Sequence, residues 1–86
     1  MKVGDLFFIK WEDSQGCPMG WAAFDDCRDR KLAIIESVGW VSHIDKRAVT
    51  LTPHVASIDT KPNCVSGFVT IPLSGVLKKQ ILTVKK

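Results

Sequence analysis

The chain reads as an all-β protein, a small five-stranded antiparallel barrel with a long first loop and a short helical turn before the last strand. Three observations predict this. β-Branched and aromatic residues recur with a period of two along most of the 86 residues. No helical periodicity outlasts a single turn. A small sheet also manages its exposed edges best by closing on itself. Residues 1–86 are enough for one domain and too few for two. With 45% hydrophobic and 24% charged residues, the chain is too apolar for a disordered segment.

The first strand is expected over 5–11, Asp5-Leu-Phe-Phe-Ile-Lys-Trp11. Both of its faces carry apolar residues, which suits a strand covered on both sides or one curling around a barrel. Residues 12–30 break the pattern and form the long loop: turn formers up to Gly20, then Trp21-Ala-Ala-Phe24, then the charged run Asp25–Lys31. The second strand, 32–43, is long, and Gly39 in its middle marks a bulge or bend that would let it serve two sheets of one barrel. Residues 44–47 form a polar turn in which Asp45 fits the first half.

The third strand, 48–55, alternates cleanly. Val49, Leu51, Pro53 and Val55 share a buried face, and Thr50, Thr52 and His54 a wet one. Pro53 cannot donate to a ladder, so the strand is an edge there or ends early. A loop over 57–63 leads to the fourth strand, 64–71, with Gly67 as a second candidate bulge. Residues 72–75 make a tight or 3-10 turn, and the fifth strand covers 76–84.

This order of elements, over most of the chain, resembles the Src-homology-3-like small barrel. The acidic-aromatic stretch of that family's peptide-binding members is absent, and the chain has no tyrosine, which argues against a groove for proline-rich ligands. An oligonucleotide-binding-type barrel is the second option. It usually carries a helix between strands three and four, for which 57–63 is too short.

A second resemblance lies in short motifs: Val3-Gly4-Asp5, Lys10-Trp11-Glu12-Asp13-Ser14, Gly20-Trp21, Ile35-Glu36-Ser37-Val38-Gly39-Trp40-Val41 and Thr70-Ile71-Pro72. The chain is similar here to small proteins encoded by bacteriophages and prophages, a group of unassigned function with a W-x-D-S opening, a central S-V-G-W and a late I-P. The resemblance implies a mobile-element origin and an accessory role in a host cell. It supplies no catalytic residues.

Little in the chain points to catalysis or to a metal. Cys17, Cys27 and Cys64 are odd in number and far apart, which fits reduced cytosolic thiols rather than a disulfide framework. With His43 or His54 they could nominally make a zinc set, but the close Cys pairs of structural zinc sites are missing. Arg28 and Arg30 flank Cys27 and could lower its pKa, yet no base or signature accompanies it. The acids Glu12, Asp13, Asp25, Asp26 and Asp29 lack calcium-loop spacing and read as a solvated loop. No phosphate-binding glycine loop or hydrolase motif is present. No cofactor and no enzymatic activity are expected.

Three tryptophans and an uneven charge distribution remain. Trp11 and Trp40 sit among strand residues and are expected in core or half-buried positions. Trp21 follows a glycine in the long loop, where periodicity cannot bury it. Net charge is −3 over 1–45 and +6 over 46–86. The expected function is a non-enzymatic binding module for a host or phage protein, with contacts from Met19, Trp21, Phe24, Asp25 and Asp26. The alternative is nucleic-acid or nucleotide binding, including sequestration of a signalling nucleotide, through Lys46, Arg47, Lys78 and Lys79 with Trp40. A net charge of only +3 weighs against that alternative. A homodimer or higher oligomer is compatible with the sequence. Membrane association is not expected, because no run approaches the ~18 apolar residues of a span. Asp5 stands where a signal peptide has its apolar run, so the expected compartment is the cytoplasm.

Overall fold

The computed structural model describes residues 1–14, 20–28, 31–59 and 61–85. The chain is all-β, in the order β1 (Leu6–Asp13), a first 3-10 turn (Phe24–Cys27), β2 (Ala33–Ile44), β3 (Ala48–Thr52), β4 (His54–Ile58), β5 (Lys61–Ser66), β6 (Val69–Pro72), a second 3-10 turn (Leu73–Gly75) and β7 (Val76–Leu82). Five strands form one antiparallel sheet in the order β6-β3-β2-β1-β7, and β4 and β5 form a separate two-stranded ribbon. The ladder of the larger sheet ends at β6 and β7. No described helix is long and apolar enough to cross a membrane.

The alternation along β1 decides which face becomes the core. Phe7, Ile9 and Trp11 point inward and are buried together with Val41, Val49, Leu51 and Ile71. Full burial of each such side chain is worth about 1.5–3 kcal/mol. Met1, Ile35, Ile44, Leu73 and Val76 pack against this cluster. Trp11 satisfies its one polar atom inside, Nε1 donating to Ser37 Oγ at 3.1 Å. The other face of β1 carries Leu6 and Phe8, which are only half-buried. Their cross-strand partners are Trp40, half-buried, and Val38, exposed. Cover on both faces, as the apolar content of β1 suggests, is therefore realised on the inner face alone.

β2 serves two ladders, as its length and glycine predict. Ala33 to Trp40 pair with β1, and Trp40 to Ile44 pair with β3, so the strand changes partner at Trp40. The register shift falls between Val41 and His43 rather than at Gly39. Gly39 has a different reason to be small. A Cβ there would stand 2.9 Å from the Thr52 carbonyl oxygen and 3.1 Å from Leu51 Cβ, because the end of β3 passes directly over it.

Two expected strands are each split in two. The alternating run 48–55 ends at Thr52, and β4 restarts at His54 beyond Pro53. The run 64–71 breaks around Gly67, whose φ of +71° belongs to the left-handed region. The expected loop over 57–63 is instead the distal part of a hairpin, with Asp59 at φ 54° beside its tip. β3–β4 and β5–β6 are thus the two sides of one long hairpin. It bends where Pro53, lacking an N–H, lies close to Gly67, so that a Cβ on the glycine would be 3.5 Å from Pro53 Cγ. Thr52, expected on the wet face, is 1% exposed at this corner. Its hydroxyl lies 2.9 Å from the Ser66 carbonyl and 3.0 Å from that of His54. It also accepts from the His54 N–H at 3.4 Å. Val55, expected to share the buried face, is past the corner and 43% exposed.

Beyond the corner the ribbon projects as an arm. Every described residue of β4 and β5 is exposed. The molecule measures 56 × 26 × 24 Å with a radius of gyration of 16.6 Å, against about 12 Å for a compact domain of this length.

Gly39→Ala should lower stability by about 1–3 kcal/mol, since a methyl group is forced against backbone. The urea midpoint should fall with the m-value unchanged. Thr52→Val keeps the shape and removes the hydroxyl from the corner. It should cost about 1–3 kcal/mol, and amide exchange should accelerate most at His54, whose N–H loses its acceptor.

Candidate functional site

The connection between β1 and β2 carries the most exposed aromatic residues of the described chain. Trp21 is 105% exposed and Phe24 98%. Gly20, at φ +137°, turns the backbone just ahead of Trp21. Phe24 opens the first 3-10 turn, in which the Arg28 N–H donates to the Asp25 carbonyl at 3.4 Å and the Cys27 thiol to the Ala23 carbonyl at 3.7 Å. Phe24 and Asp25 thus lie in a compact turn that begins three residues after Trp21. Two large rings are left in water within four residues of chain. Met19 and the side chain of Asp26, expected to join them, lie outside what the structure describes.

The two basic pairs flank the second 3-10 turn. Lys46 and Arg47 lie in the β2–β3 turn, where the Arg47 carbonyl accepts from the Leu73 N–H at 2.9 Å. Lys78 and Lys79 follow on β7. Strand alternation sends them to opposite faces, Lys78 level with Lys10 and Lys79 level with Ile9. Both line a cavity of about 380 Å³ with Met1, Leu73 and Val76. Trp40 is not with them. It is half-buried and lines a second, larger cavity.

That second cavity, about 780 Å³, is a cleft between the sheet and the arm. Val3 and Trp40 form its sheet side, and Val55, Pro62, Cys64 and Val65 its arm side. Reading 57–63 as a loop hides it. The signal in the sequence is Asp59, a residue tolerant of the left-handed region, set between two short strand-like runs.

Asp45 organises the β2–β3 turn. Its Oδ1 accepts from the N–H groups of Arg47 at 2.7 Å and Ala48 at 3.0 Å, and its Oδ2 lies 3.3 Å from His43 Nε2. These bonds, the backbone ones foremost, hold its carboxyl below the ordinary value of 3.8. Among the described residues no three of His, Cys, Asp or Glu gather as a metal site. Cys27 and Cys64 are exposed free thiols, and Cys17 lies outside the described residues. No protein-family model, no curated protein and no solved structure matches the chain.

A group whose folded pKa is depressed stabilises the fold above its unfolded pKa, and that contribution disappears as pH falls through the folded value. The Asp45 turn should therefore be intact at neutral pH and lose its contribution only below about pH 3.8. Titration of the Asp45 carboxyl by NMR should give a midpoint below 3.8. Asp45→Asn should flatten the acid limb of the stability profile.

Proposed function

We propose that the chain is a non-enzymatic binding module that docks a host or phage protein through Trp21 and Phe24, with Asp25 and Asp26 beside them and Met19 just ahead. The carrying observation is the complete exposure of Trp21 and Phe24 around one short turn. Buried central aromatics dominate protein–protein contacts, and two rings three residues apart outside the sheet can enter a partner pocket without rearrangement of the sheet. The five-stranded order, in which the first strand lies between the second and the last, supports reading the sheet as coiled like a Src-homology-3-like barrel. The β1–β2 connection would then be its long first loop. The short motifs favour a phage-type accessory protein working in the host cytoplasm.

The alternative draws on a separate observation, Lys78 and Lys79 at the rim of the 380 Å³ cavity, with Lys46 and Arg47 in the turn whose backbone bonds Leu73. That placement suits a phosphate-bearing ligand. It is weaker as a nucleic-acid surface because Trp40, the stacking ring it would need, lines the other cavity.

Tagged protein should recover one dominant protein from bacterial host lysate. Trp21→Ala and Phe24→Ala should each weaken that binding by about 30-fold, the effect of a 2 kcal/mol contact, with thermal stability changed by less than about 0.5 kcal/mol. Recovery unchanged in both variants would move the contact elsewhere. Binding to a polynucleotide that weakens steeply with salt would favour the alternative.

A further inference from the structure

The arm and the cleft at its root point to a partner that the loop does not address. We infer that the cleft between arm and sheet is filled by the arm of a second copy of this chain, in a two-fold, self-complementary dimer.

The first argument is area. The chain exposes 7120 Å², whereas a compact monomer of 9.5 kDa exposes about 5,000 Å². The surplus of about 2,000 Å² per chain exceeds the roughly 800 Å² that each partner contributes to a standard interface. The arm contributes to it, since every described residue of β4 and β5 is exposed. A two-stranded ribbon standing alone in water is marginal, so one projecting from a sheet calls for a surface to cover it.

The second argument is chemistry. Residues 54–66 carry one acid, Asp59, and one base, Lys61. A neutral ribbon does not suit nucleic acid, whose binders neutralise phosphates with clustered cations. It does suit a second copy, because two net-positive chains meet there without a charge penalty. The ribbon instead exposes Val55, Ile58 and Val65 at 43%, 52% and 46%. The cleft offers Val3 and Trp40 opposite Val55 and Val65. Apolar arm and apolar cleft belong to one chain, so a two-fold axis satisfies both at once: each arm fills the other chain's cleft. Pro62, which lacks an N–H, interrupts the ladder edge of β5 and works against open-ended strand addition.

Sedimentation equilibrium of the full chain should give twice the 9.5 kDa chain mass. Val55→Asp combined with Val65→Asp should weaken dimerisation by about 100-fold. Both residues lie outside the core, so the far-UV spectrum of the sheet should persist. Trp21→Ala should leave the dimer intact, which separates this proposal from the loop's role. Hydrogen exchange of the unmodified chain supplies a test free of folding defects: amides of 54–66 should be protected at high protein concentration and lose protection on dilution. A monomer at all concentrations, a dimer indifferent to the double substitution, or arm exchange independent of concentration overturns the proposal. A monomer whose arm becomes protected only on adding another protein would assign the cleft to a foreign occupant and overturn it as well.

Discussion

The corner at Thr52, Pro53 and Gly67 is the constraint on which the shape of the molecule depends. On one side of it the long hairpin belongs to the sheet, contributing Val49, Leu51 and Ile71 to the core. On the other side the same hairpin contributes nothing to the core. Three chemical facts meet there. Pro53 withholds a donor, Gly67 takes a left-handed conformation, and the Thr52 hydroxyl, buried at the bend, bonds to backbone of both strands. Because Thr52 also crowds Gly39, the corner is pinned against the point where β2 passes from β1 to β3. Arm, cleft and sheet are therefore one mechanical arrangement.

Much of this sheet was legible in the sequence, and the limits have physical causes. β2 and the second 3-10 turn stand where period-two alternation and the Pro72-to-Gly75 spacing place them. Alternation reports which side of a strand a residue occupies, and nothing about whether that side is covered. Val49, Leu51 and Val55 share a parity, yet only the first two are buried, because the chain turns between Leu51 and Val55. Pro53 and Gly67 each gave a local signal. Their joint meaning depends on a pairing across the hairpin that neither segment encodes alone. The loop aromatics were simpler to anticipate: with no alternating neighbours to enclose it, Trp21 stands in solvent. The cleft could not be read at all, since its two sides come from segments brought together only by the bend.

The two proposed surfaces are well separated. The β1–β2 connection leaves the sheet at Asp13 and returns at Ala33, whereas the arm leaves beside Trp40, level with Leu6. Along β1 this is about 23 Å at the usual rise per residue. A contact at the loop and one at the arm can be occupied together without competing. A dimer joined through its arms would carry two loops, and linked sites of this kind gain affinity through effective concentration rather than new contacts.

The position of β1 between β2 and the edge strand β7 has a consequence for how the chain is made. β1 is flanked by β2 on one side and by β7, the last strand, on the other, with Leu6 level with both Trp40 and Leu82. During synthesis, β1, β2 and β3 can pair soon after they emerge, helped by the tight Asp45 turn. The second flank of β1 stays open until β7, about 70 residues further along, has been made. Pairings of such long sequence separation form late and slowly, and an unpaired strand flank is the part of a nascent chain most prone to misassembly. Lys10 and Lys78 stand directly opposite each other across that seam, so like charges weaken the very pairing that forms last.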